Sequence, residues 1–130
     1  MKSDAERPEE LIPLTPPVFH ILMALADGEM HGYAIIQEVD RRTDGQVRLG
    51  SGTLYAAIKR LLASRLIEEC QERPAPEADD ERRRYYRIAG FGLQVAEAEA
   101  QRLAQLVRLA GEKKLLTRLP SILETRGESK

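Results

Sequence analysis

The sequence predicts a mainly helical fold that carries one small two-stranded β-hairpin. Three observations predict it. Apolar residues make up 42% of the 130 residues, while aromatics make up 5% and tryptophan is absent. A core drawn from Leu, Ile, Val and Ala favours helices. Apolar side chains also recur at i, i+3, i+4 and i+7 in separate stretches, the period of an amphipathic helix. Finally, two β-prone stretches, residues 66–73 and 82–88, flank a run from Pro74 to Glu81 whose two prolines and four acids exclude regular structure.

Residues 1–10 are charged and poor in apolar side chains, which predicts a flexible arm. The first helix opens at Thr15, a candidate N-cap, with Pro16 at the first helical position. Its stripe is Val18, Ile21, Leu22 and Leu25, and Asp27-Gly28-Glu29 ends it. A second helix begins near His31-Gly32 and runs through Tyr33, Ile35, Ile36 and Val39 to Arg42. A turn at Thr43-Asp44-Gly45 and an extended piece, residues 47–49, lead to a third helix over residues 52–64. Leu54, Ile58, Leu61 and Leu62 form its apolar stripe. They leave Thr53, Ala56, Ala57, Lys59 and Arg60 wholly or partly outside it. The hairpin follows. A long helix then runs from Gly90 to Leu116 or Leu119, where Pro120 stops it, and residues 120–130 read as a frayed tail.

Three short helices, a hairpin and a long helix outline a winged helix-turn-helix domain over residues 11–89, followed by a C-terminal dimerisation helix over residues 90–119. The third helix takes the recognition position and the hairpin is the wing. The formal net charge of −1 gives no bulk argument for a nucleic-acid partner. Its local distribution does. Arg48, Lys59 and Arg60 stand in a stretch without acids, and Arg82, Arg83, Arg84 and Arg87 stand in another. The assumed fold brings both to one footprint on double-stranded DNA.

The segments Leu22-Met23-Ala24-Leu25, His31-Gly32-Tyr33-Ala34-Ile35, the run from Gly52 to Leu61, Leu66-Ile67-Glu68 and Arg84-Tyr85-Tyr86-Arg87-Ile88 occur in an order and spacing that resemble the PadR family of transcriptional regulators. The resemblance covers roughly residues 14–110. It implies a homodimer that binds a palindromic operator, a final helix that supplies much of the dimer contact, and repression as a common mode of action. It also implies the short C-terminal type and leaves room for a small-molecule effector. The chain departs from the family pattern at Ser51 and Ala57, where proline is common, and at Ala89, where threonine commonly caps the last helix. Phe91 is placed to dock that helix start onto the core.

The candidate DNA contacts are Ser51, Thr53, Tyr55, Lys59 and Arg60 on the recognition helix, Arg82, Arg83 and Arg84 on the wing, and Tyr33. The hydroxyls and helix-start amides suit phosphate, and the cations suit phosphate or guanine edges. Each has a plainer reading: N-capping for Ser51 and Thr53, packing against the wing for Tyr55, a solvated surface for the cations. Strand alternation sends neighbouring wing arginines to opposite faces. Glu77, Asp79, Asp80 and Glu81 would be repelled by phosphate, so the wing tip is expected to point away from DNA. The candidate dimer seam is Ala96, Ala100, Leu103, Leu106, Val107 and Ala110, close to heptad spacing. An effector pocket is expected between the first and last helices, near Phe19, Leu22, Met23, Leu103 and Leu106.

Other classes find little support. The two histidines, His20 and His31, and the single Cys70 form no metal-ligand spacing, and no cofactor is implied. Gly50-Ser51-Gly52-Thr53 lacks the spacing and lysine of a phosphate loop. Cys70 reads as a small buried strand residue, and His31 as part of a turn. No signal peptide or membrane-spanning run is present, which makes the expected compartment cytoplasmic. The chief rival to DNA binding is a winged-helix module whose basic face meets an acidic protein.

Overall fold

The computed structural model describes residues 7–70, 73–74 and 82–116. After a 3-10 turn at Pro8–Leu11 come α1 (Pro16–Ala26), β1 (Met30–His31), α2 (Gly32–Arg42), α3 (Ser51–Ala63), β2 (Ile67–Glu69), β3 (Arg73–Pro74), β4 (Arg82–Arg83), β5 (Tyr85–Ile88) and α4 (Gly90–Glu112). The mainly helical architecture with a wing is the one the sequence predicts. Ile21, Leu22 and Leu25 of α1, Ile35 and Val39 of α2, and Leu54, Ile58 and Leu61 of α3 meet in one core. Ala57 departs from its expected place. It is 3% exposed and belongs to the buried stripe, one turn before Leu61.

The sheet differs from the expected hairpin in two ways. First, it has three strands in the order β1-β5-β2, with Met30 opposite Tyr86, His31 opposite Tyr85, and Ile67 opposite Ile88. A two-residue strand has no period to read, so β1 is invisible until β5 lies beside it. Second, the hairpin arms are interrupted. The outer part is a separate ladder of β3 and β4, in which Pro74 pairs with Arg82 although its ring suggested a loop. An outer ladder tolerates proline because an edge position needs no N–H. Cys70 is half-buried just past β2 rather than buried within a strand, and its N–H donates to the Tyr85 carbonyl at 2.6 Å. Glu77, Asp79, Asp80 and Glu81, and with them the expected orientation of the wing tip, lie outside the described residues.

Three of the helices end in the same way. Asp44, Arg65 and Lys114 adopt left-handed φ of 53°, 65° and 62°. The next residue then donates back across the last turn: Gly45 to Asp40, Leu66 to Leu61 and Leu115 to Ala110, at 2.8–2.9 Å. This closure satisfies otherwise orphaned carbonyls. It also corrects the expected length of α4, which stops at Glu112, before Leu116 and Pro120. Beyond it Leu115, 75% exposed, finds no core that would favour another turn. Thr15 and Ala89 occupy the N-cap positions of α1 and α4 without a side-chain cap bond. The Ala89 N–H donates to the Leu66 carbonyl at 2.9 Å, which ties the start of α4 to the exit of α3 without capping it. Gly92 lies against the same carbonyl, so closely that a Cβ would collide with it. Phe91 packs on the core as expected.

Residues 8–10 of the expected flexible arm form, with Leu11, a 3-10 turn that packs against α4. Glu99, 2% exposed, ties this region down. Its carboxylate accepts two hydrogen bonds from Arg102 at 2.8 and 2.9 Å and one from the Leu14 N–H at 3.1 Å. The Arg102 guanidinium, helped by that N–H, outweighs burial and holds the carboxyl below its ordinary value. A depressed native pKa gives stabilisation that is complete above the unfolded value and lost as pH falls through the native one. Glu99→Gln should therefore cost about 2 kcal/mol near neutrality, as expected for charged hydrogen bonds. In urea unfolding, the gap between the two proteins should shrink steadily below about pH 4.5.

Candidate nucleic-acid interface

The interface starts from the turn between α2 and α3. Thr43 Oγ1 donates to the Val39 carbonyl at 2.9 Å and accepts from the Val47 N–H at 3.0 Å. Arg48 reaches back to Asp40 with its Nε 3.4 Å from Oδ1. These contacts set how α3 leaves α2. Leu54, Ala57, Ile58 and Leu61 then turn one face of α3 into the core and leave Ser51, Thr53, Tyr55, Lys59 and Arg60 exposed. Gly50 is the N-cap of α3, and no side chain caps it, so neither Ser51 nor Thr53 serves as the expected cap. Among the described residues Lys59 and Arg60 form no ion pair.

A concavity of ≈ 350 Å³ opens between the start of α2, α3 and the wing. His31, Tyr33, Tyr55, Arg83 and Arg84 line it, with Gly32 and Tyr86 at its base. Tyr33 is 59% and Tyr55 50% exposed. Tyr55 reaches into this position because Gly32 has no side chain. A Cβ there would strike the Tyr55 hydroxyl and stand 2.8 Å from its Cζ. Tyr86, 4% exposed, forms the buried floor, and burial first, then the charge of Glu69, pushes its hydroxyl above the ordinary phenol value. Arg84 stands 3.6 Å from Glu69, and Arg87 donates to Glu68 directly opposite at 2.9 Å. Both pairs are exposed, so solvent screens them.

The sequence profile of the transcriptional regulator PadR-like family matches residues 21–98, from α1 through the wing into α4. The chain belongs to the PadR-like family of transcriptional regulators. An uncharacterized 37.1 kDa protein in transposon TN4556 of Streptomyces fradiae is 37% identical over 86 residues; the match covers 66% of this chain and 22% of that protein. The chain thus spans about a fifth of that relative's length. A PadR family transcription regulator from Clostridium difficile is similar in structure, with a TM-score of 0.63 at 23% identity over 75% of this chain and 97% of that one. Bacillus subtilis PadR in complex with operator DNA gives a TM-score of 0.55 at 20% identity, over 66% of this chain and 47% of that one. At these identities the structural likeness speaks for the fold.

On this PadR-like frame, Tyr33, Tyr55, Arg83 and Arg84 share one cleft, and Ser51, Thr53, Lys59 and Arg60 lie on the exposed face of the neighbouring helix. Arg82 precedes Arg83 in β4. The sequence reads His31 and Gly32 as a turn rather than as site residues, yet both line the cleft. His31 caps α2, its Nδ1 accepting from the Ala34 N–H at 3.3 Å. Histidine is not among the favoured capping residues, so no local signal marked it.

The α4 seam is mixed in exposure. Ala96, Leu103, Val107 and Ala110 are half-buried, whereas Ala100 and Leu106 are exposed, joined by Leu109. Of the residues expected around an effector, Leu22 is sealed in the core, Phe19 and Leu103 are half-buried, and Met23 and Leu106 are exposed. A concavity of ≈ 250 Å³ lies between α1 and α2, lined by His20, Met23, Ala24, Glu38, Val39, Arg42 and Thr43. It includes Met23 from the expected set. Among the described residues there is no group of three or more His, Cys, Asp or Glu that could hold a metal ion, and no helix is long and apolar enough to cross a membrane.

The contact between Gly32 and Tyr55 generates a test. Gly32→Ala should destabilise the protein by about 1–3 kcal/mol through overpacking. Combined with Tyr55→Phe, which removes the nearest atom, part of that loss should return. Denaturant unfolding of the two single variants and the double should give a coupling of about 0.5 kcal/mol or more.

Proposed function

We propose that this chain is a sequence-specific DNA-binding repressor that grips a palindromic operator as a homodimer. The observation that carries the reading is the shared cleft. Tyr55 of α3 meets Arg83 and Arg84 of the wing there, and no carboxylate lines it among the described residues. In a winged helix-turn-helix protein, α3 enters the major groove while the wing follows the backbone or minor groove. Lys59 and Arg60 suit phosphates or guanine edges, Ser51, Thr53, Tyr33 and Tyr55 suit phosphates, and Arg82, Arg83 and Arg84 supply the wing's charge.

The exposed apolar side chains on α4 support dimerisation. Leu106 and Leu109 are 48% and 45% exposed on a helix that continues past the core. A second copy of α4 is the simplest cover, and symmetry then sets two recognition helices about 34 Å apart, one turn of DNA. Occupancy of promoter DNA by the dimer excludes polymerase. A small-molecule effector beside α4 would act by favouring one spacing of those helices over another.

Two outcomes follow. Lys59→Ala should weaken binding to all duplexes alike and reduce the salt slope by about 1 in anisotropy titrations, the signature of one lost phosphate contact. Leu106→Asp should leave the monomer fold intact, because the side chain is exposed. It should shift the light-scattering mass from dimer to monomer, with operator affinity falling about tenfold or more as one half-site is lost.

A further inference from the structure

We propose that Arg48 is a phosphate-binding residue of the DNA interface and that Asp40 competes with the duplex for it. The proposal rests on the DNA-binding reading above and adds a residue and an internal competitor to it. Arg48 lies in the connection that leads from the α2 turn into α3. Val47 before it is half-buried and Leu49 after it is 7% exposed, whereas Arg48 is exposed, so its side chain turns away from the core. It stands two residues before Gly50, the N-cap of α3. Its Cα therefore lies within about 7 Å of the helix start. In a helix-turn-helix protein that end of the recognition helix lays its first residues against base edges. A cation just ahead of it stands beside the phosphates that border the groove.

In the free chain Arg48 folds back across the turn instead of reaching forward. Its Nη2 passes 3.4 Å from the point where Gly45, at φ +79°, would carry a Cβ, and Asp40 Oδ1 is 3.5 Å from the same point. Nε stands 3.4 Å from that oxygen. The pair is loose. Its separation exceeds that of an ordinary N–H···O bond, and Asp40 Oδ1, although shielded from solvent, accepts no hydrogen bond. The turn is closed without it, by Thr43 Oγ1 between the Val39 carbonyl and the Val47 N–H and by the Gly45 N–H on the Asp40 carbonyl. With the two side chains 78% and 47% exposed, water screens what attraction remains. A duplex phosphate offers the guanidinium short, charge-assisted bonds and releases a counterion as it does so. Arg48 thus exchanges a weak anion for a stronger one on binding. The other acid of this turn, Asp44, is exposed and forms no ion pair with Arg48 among the described residues.

The test uses the full chain and a duplex selected by it from a random library, in anisotropy titrations over a salt series. Arg48→Ala should melt within a few degrees of wild type, bind about five- to tenfold more weakly and lower the salt slope by about 1. Arg48→Lys should keep the slope, because an ammonium also neutralises a phosphate. Asp40→Asn should tighten binding about two- to fivefold, the scale of an exposed ion pair. That gain should vanish when Asp40→Asn is combined with Arg48→Ala. Asp44→Asn, which removes a charge from the same turn, should change affinity equally in the wild-type and Arg48→Ala backgrounds. Weaker binding by Arg48→Ala with an unchanged slope gives the residue a purely structural role and overturns the phosphate assignment. A gain from Asp40→Asn that persists without Arg48 is general charge repulsion and overturns the competition. Failure of wild type to select any duplex overturns the DNA-binding reading instead.

Discussion

Strand β5 is hydrogen-bonded along both edges, and the placement of every functional side chain depends on that. One edge holds Met30 and His31, which lead directly into α2, and the other holds Ile67 to Glu69, which follow from α3. The two helices of the helix-turn-helix are thus joined to the wing through a single four-residue strand. Tyr86, at its centre, is buried and pairs with both neighbours. Backbone pairing of this kind resists shear along the strand. Arg83 and Arg84, just before β5, therefore have a fixed relation to Tyr33 and Tyr55 on the helices.

Close approach of backbone to backbone does the rest. Gly32 lets Tyr55 of α3 lie over the start of α2, and Gly92 lets α4 rest on the Leu66 carbonyl at the exit of α3. Neither contact adds much area. Each removes a steric obstacle at a point where two elements must meet at one angle. The left-handed closures at Asp44 and Arg65 work alongside them by ending α2 and α3 abruptly, so that short connections suffice.

Glu99 is a different kind of constraint. Desolvation opposes the hydrogen bonds of a buried carboxylate, so removing one partner costs more than the pair contributes over an apolar replacement. Its partners are more informative than its energy. Arg102 lies one turn along α4 and Leu14 lies just before α1, so the carboxylate couples the chain's N-terminal region to the helix proposed for dimer contact. The apolar seam beyond that point leaves the core, and its exposed leucines mark where one chain's own packing ends.

The four helices, the wing and the exposed basic face of α3 were legible in the sequence, because each rests on periodicity or composition within one segment. Leu54, Ile58 and Leu61 pointed inward as their spacing required, and Lys59 and Arg60 outward. Recognising the PadR-like order of segments needed nothing beyond those local signals. Ala57 was misread because a small apolar residue fits either face, and α4 was drawn too long because Pro120 was a stronger visible stop than the closure at Lys114. The third strand, the buried Glu99 and the cleft residue His31 were not legible at all. Each depends on a partner far along the chain: β5 for Met30 and His31, Leu14 for Glu99, Arg83 for the His31 ring. Local physics determined which elements form and which way most of their faces turn. The tertiary structure alone decided which side chains meet, because pairing across long separations is set by packing that no window of sequence contains.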